Sequence, residues 1–183
     1  MMYDLTLKTA GLACGVFLLL LGLLGLVMPD PTRQLALKLP RSRAAGIVFL
    51  SLAALWSFWL LATMEMGEFS NFRMPLMVAL PIGFLLVLWF VPEFLAVRAL
   101  GILFLLAAEP LLEAAFLRHE TSRLLVTVLA YVLIVKGLFW VMMPYLMRDH
   151  IQWNARSNGR WIALHALAAL YGAALLFCTF TRY

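Results

Sequence analysis

Six long apolar runs separated by short polar connections make up nearly the whole chain. They cover about residues 9–28, 44–65, 74–91, 95–116, 124–147 and 161–180. Each is near the ~20 apolar residues that a helix needs to cross the hydrocarbon core of a bilayer. The runs are continuously apolar and lack the two-residue alternation of a transmembrane barrel, so helices are the expected elements. The third run is the shortest and carries Pro75 and Pro81. The pattern therefore predicts an all-α, polytopic membrane protein: one domain over 1–183 with six transmembrane helices.

Composition agrees with that reading. Hydrophobic residues make up 65% of the chain and charged residues 13%, whereas a soluble domain is about half apolar and a quarter charged. No polar stretch is long enough for a separate soluble domain. The first run ends at Met28-Pro29 without a small-x-small cleavage pattern, so it reads as a span and not as a removed leader. Cys14 and Cys178 lie inside apolar runs, form no CxxC pair, and read as packing residues.

The net charge of +5 would suggest nucleic acid in a soluble protein. Here the basic residues fall between the spans, so they read as topology signals and lipid-headgroup contacts, and no nucleic-acid partner is expected. The connections between spans 1 and 2, 3 and 4, and 5 and 6 hold eight: Arg33, Lys38, Arg41, Arg43, Arg98, Arg148, Arg156 and Arg160. The opposite side holds five: Lys8, Arg73, Arg118, Arg123 and Arg182. The richer side is expected to be cytoplasmic, which puts both termini outside, in a bacterial inner membrane. The longer cytoplasmic connections, from Pro29 to Arg43 and from Pro144 to Arg160, intersperse apolar residues among charges. They are expected to lie as amphipathic segments at headgroup level, anchored by Tyr145, Trp153 and Trp161.

The two connections also align. Laying residues 22–56 on 137–171, so that Pro29 meets Pro144, makes twelve of 35 positions identical without a gap. The informative matches are the polar ones: Arg33 with Arg148, and Arg41-Ser42 with Arg156-Ser157. The middle spans join less fully, through Arg43-Ala44-Ala45-Gly46-Ile47-Val48-Phe49-Leu50 against Arg98-Ala99-Leu100-Gly101-Ile102-Leu103-Phe104-Leu105, after a shorter connection that starts at Pro92. Three repeated helical hairpins are expected, at about 9–65, 74–116 and 124–180. Such repeats suggest duplication and occur in transporters.

Gly137-Leu138-Phe139-Trp140-Val141-Met142-Met143-Pro144 and its basic continuation resemble the small YjeT-like two-helix membrane proteins. So does Gly22 to Pro29 together with Leu39-Pro40-Arg41-Ser42-Arg43-Ala44-Ala45-Gly46. The likeness covers about two thirds of the chain as tandem copies. It implies a membrane-hairpin architecture; that family has no established catalytic activity.

Ionisable groups within the spans are costly unless paired or hydrated. Four candidates stand out. Glu109 and Glu113 lie four apart on one face of span 4, Lys136 lies near the middle of span 5, and His165 lies a turn inside span 6. Lys136 is the only Lys or Arg near mid-span, and the hairpin of spans 4 and 5 places Glu109 and Glu113 as its nearest acids. The bland expectation is a structural Glu109–Lys136 ion pair or a charge that meets another subunit; the functional one is a proton or ion relay through this intramembrane polar cluster. Glu65, Glu68 and Arg73 read as a solvated helix end. His119 and His150 have no second ligand at useful spacing, so no metal, haem or other cofactor is expected.

The loops are too short to build a catalytic site outside the bilayer. The leading expectation is a non-catalytic integral membrane subunit or accessory protein that packs against other membrane proteins or itself. Gly11, Gly15, Gly22 and Gly25 on span 1 allow close helix contact. The alternative is a small hairpin-repeat transporter or ion channel using Glu109, Glu113 and Lys136.

Overall fold

The computed structural model describes residues 3, 5–91 and 93–181; Pro92 and Arg182, used above for the middle repeat and the charge count, lie outside them. The described residues form eight α-helices and no strand. They are α1 (Leu7–Val27), α2 (Pro29–Lys38), α3 (Arg43–Thr63), α4 (Arg73–Phe90), α5 (Leu95–Ala115), α6 (Arg123–Met142), α7 (Tyr145–Ala155) and α8 (Asn158–Thr181). Short 3₁₀ turns at Leu39–Arg41 and Gly67–Phe72 lead into α3 and α4. Six helices, all but α2 and α7, are long and apolar enough to cross a membrane.

Most boundaries fall within three residues of the apolar runs. The fifth is a correction: the run 124–147 becomes a helix ending at Met142. The cause is Pro144, which excludes the helical region for the residue before it; Met143 sits at φ −128°, ψ 70°. Met28, before Pro29, adopts φ −126°, ψ 68°, and Val91, before Pro92 in sequence, φ −125°, ψ 56°. Three spans thus end in one backbone geometry with one local cause. At the entry to α3, the Ser42 hydroxyl accepts the Ala45 N–H at 3.2 Å, a side-chain N-cap.

The two amphipathic connections are the helices α2 and α7, which touch each other. A helix of this length is about 15 Å long, more than the 8–10 Å between packed helix axes. It therefore holds apart the spans that it joins. The principal packed pairs are α1 with α8, α5 with α6, α3 with α5, and α3 with α4. The segments 9–65 and 124–180 each run long helix, short helix, long helix, and their two long helices find their main neighbours elsewhere.

Glycine sets two of these contacts. A Cβ at Gly22 would stand 2.5 Å from the Ala169 nitrogen, and one at Gly172 would stand 2.5 Å from the Leu19 nitrogen, so α1 and α8 meet backbone to backbone. Gly101 and Gly137 bring α5 and α6 together in the same way. The glycine face of α1, expected to serve partner proteins, is buried inside the chain: Gly11, Gly15, Gly22 and Gly25 all face the interior. The core between α1, α5, α6 and α8 is closed by Leu7, Ala10, Ala108, Leu111, Ala114, Val126, Ala130 and Leu175, with Cys14 against its edge. By contrast, no residue of α4 is buried, and Trp89 is 83% exposed.

Candidate functional site

The four ionisable residues expected to cluster, Glu109, Glu113, Lys136 and His165, fall into three separate places. The first is an open cleft of about 700 Å³, lined by Leu105, Ala108, Glu109, Leu112, Glu113, Phe116 and Ile134. It lies toward the ends of α5 and α6 opposite to α2 and α7. Glu109 and Glu113 share it because they are four apart on α5; Glu109 is exposed and Glu113 half-buried. Pro110 between them is buried.

Tyr3 covers the outer edge of this cleft. Its backbone N–H donates to Glu113 Oε2 at 3.2 Å. Its phenol oxygen accepts from Trp56 Nε1 at 2.8 Å, and its ring packs 5.5 Å from that of Trp59. A smaller cavity of about 230 Å³ opens beside it between Leu5, Glu113, Leu117 and Arg118. Burial pushes the Tyr3 phenol above its ordinary value; the Trp56 hydrogen bond opposes the rise, and the Glu109 and Glu113 carboxylates add to it. Sequence reasoning missed Tyr3, Trp56 and Trp59, because nothing local marks residues from the N-terminus and α3 as neighbours of α5.

The second place is the α1–α8 contact. His165 is buried, its Nδ1 lies 2.9 Å from the Trp161 carbonyl, and its ring stacks 4.4 Å from the Trp161 ring. A Cβ at Gly25 would fall inside the His165 imidazole, so the glycine is the seat for that ring. Trp161 Nε1 donates to the Gly25 carbonyl at 3.2 Å. Arg33 from α2 lies 5.5 Å over the Trp161 ring and donates to Asn158 Oδ1 at 2.6 Å. Trp161, expected at the bilayer interface, is instead interior; Tyr145 and Trp153 remain exposed. His165 stands two turns inside α8, because that helix begins at Asn158.

Lys136 is the third. It is exposed and makes no ion pair or hydrogen bond with any described residue; the only ion pair among these is Arg148–Asp149, at 2.8 Å. The expected Glu109–Lys136 pair is absent, for two geometric reasons. Ile134 lines the acidic cleft, and Lys136, two residues on, projects about 160° away around α6. The Gly101–Gly137 contact also sets the register of α5 against α6. At 1.5 Å per residue, Glu109 then lies about 10 Å along the helices from Lys136. The four expected members of the polar cluster are thus distributed as two acids in a cleft, a histidine in a helix contact, and a lysine on the outer face of α6.

The basic residues Arg33, Lys38, Arg41, Arg43, Arg148, Arg156 and Arg160 gather around α2 and α7. Arg148 lies 5.8 Å over Phe94, and Arg160 lies 4.1 Å over Trp153. Glu65 and Glu68 are exposed, and Arg73 donates to the Met64 carbonyl. No group of three or more potential metal ligands occurs among the described residues. No family model, curated protein or solved structure matches this chain.

Proposed function

We propose that the chain is a non-catalytic, multi-pass subunit of a bacterial inner-membrane assembly, with α2 and α7 at the cytoplasmic headgroups and both termini outside. The observation that carries it is the separation of Lys136 from Glu109 and Glu113. A relay needs groups within a hydrogen bond or a water of one another, and here half a helix circumference and about 10 Å lie between cation and acids. An exposed mid-span cation suits a contact with a neighbouring chain, since intramembrane charge is tolerated where it is paired. The alternative, a small transporter or ion channel, keeps only Glu109 and Glu113 as path residues.

The same proposal takes the chain as three repeats, two of them YjeT-like. Moved by the offset that lays Pro29 on Pro144, the starts of α1, α2 and α3 each fall within one residue of those of α6, α7 and α8. The packing repeats as well. In the sequence alignment Leu50, Leu105 and His165 are equivalent. His165 faces Gly22, Leu105 faces Gly137, and Leu50 belongs to the cluster that receives Phe84, Val87 and Leu88 of α4. In each case the first span of one hairpin lies on the second span of another.

Gentle native purification, followed by identification of the co-purifying membrane chains, tests the subunit reading. Its counter-test is flux through the purified protein in liposomes. A stoichiometric foreign chain with no flux supports a subunit; flux that depends on Glu109, with no partner, supports the transporter.

A further inference from the structure

The outer face of α6 bears the one Lys or Arg that lies near the middle of a long helix, set among Val128, Val132, Val135 and Phe139, all of them exposed. Lys136 lies six residues from the end of α6 at Met142 and thirteen from its start at Arg123. By helical rise it is about 9 Å from the nearer end. A lysine stem commonly escapes such depth by snorkelling to the nearer surface. Here the geometry works against it. Helical side chains lean toward the N-terminus of their own helix, so Lys136 leans toward the farther end of α6 and into the hydrocarbon. Its charge is costly in lipid unless it is paired or hydrated, and no described residue of this chain pairs with it.

A second copy does not relieve it. Copies inserted in one orientation and related by an axis normal to the membrane hold every residue at the same depth. The two acids within the long helices, Glu109 and Glu113, lie at least about 10 Å along the bundle from Lys136. The other six acids among the described residues, Asp30, Glu65, Glu68, Glu93, Glu120 and Asp149, all fall outside these helices.

We infer that the Val128–Phe139 face of α6 docks a transmembrane helix of a different protein, and that this helix carries an Asp or Glu at the depth of Lys136. This rests on the subunit reading and names its partner's chemistry. The Val and Phe side chains supply the packing surface, and the ammonium–carboxylate pair supplies register and selects against helices without the acid.

The test uses the full-length protein in phosphatidylcholine vesicles. The probe is a set of synthetic polyleucine transmembrane helices, each with one Glu at a different depth, and association is read by energy transfer. The Glu helix whose acid matches the depth of Lys136 should associate about tenfold more tightly than its Gln counterpart or than Glu helices displaced by two turns. Lys136→Met should abolish the difference, and Lys136→Arg should retain it. Equal association of Glu and Gln helices, or a preference that survives Lys136→Met, overturns the inference. The two readings fail separately. A native complex whose composition is unchanged by Lys136→Met leaves the subunit reading standing without this anchor. A depth-selective Glu preference in a protein that purifies alone leaves the anchor standing without a native assembly.

Discussion

Gly101 and Gly137 face each other so closely that a Cβ on either would stand 2.9 Å from the carbonyl oxygen of the other. This contact locks α5 against α6 in one register. Through that register it decides the electrostatics of the chain, because it sets Lys136 about 10 Å from the level of Glu109.

Alanine at Gly101 or Gly137 must therefore push the two helices apart. Each substitution should cost about 1–3 kcal/mol, the usual range for overpacking a well-filled interior. Thermal or denaturant unfolding in a mild detergent measures it. Gly83→Ala is the matched control: nothing lies within 4 Å of a Cβ there, so its stability should stay the same or rise slightly.

Gly25 and His165 form a lock-and-seat pair, which predicts a rescue. Gly25→Ala drives a methyl into the imidazole and should lower stability by a similar amount. Removing the ring with His165→Ala in the same chain should recover part of that loss, so the two substitutions should couple favourably in a double-mutant cycle. Simple additivity would show that the ring does not occupy the glycine seat.

Glu109 and Lys136 should behave as strangers. The cycle of Glu109→Gln and Lys136→Met should show a coupling within about 0.5 kcal/mol of zero, the behaviour of distant sites. A coupling of several kcal/mol would mean that the pair forms after all.

Tyr3 carries a pH dependence. Its raised phenol pKa means that the folded chain holds the proton more tightly than the unfolded chain. Its contribution to stability is therefore full below the ordinary tyrosine pKa of about 10 and is lost as pH rises through the higher folded value. The phenolate absorbance that disappears in Tyr3→Phe should titrate above that of an exposed tyrosine. Glu109→Gln with Glu113→Gln should lower its midpoint, because the carboxylates contribute to the rise.

The long helices were legible from their apolar runs because length and continuity are local properties. Pro29 and Pro144 are legible as stops for the same reason, although the fifth apolar run continues to 147 while its helix ends at Met142. The neighbours of each span were not legible. Gly11, Gly15, Gly22 and Gly25 mark a close-contact face on α1 without saying that α8 fills it. Nor does the chain order of spans 4 and 5 give their register. A tight hairpin suggested that Lys136 and Glu109 meet, and the glycine contact together with the angular position of Lys136 on α6 puts them apart. Tyr3 was invisible because its partners Trp56 and Glu113 are distant in sequence.

Native mass spectrometry of the wild type and of Lys136→Met, ejected directly from their own membrane, tests the subunit reading most directly. The wild-type chain should appear with a stoichiometric, different membrane protein bearing an intramembrane carboxylate, and Lys136→Met should release that partner while leaving the 20.6 kDa chain folded. A wild-type chain found only alone or with copies of itself, and conducting protons or solutes in liposomes through Glu109, would contradict it.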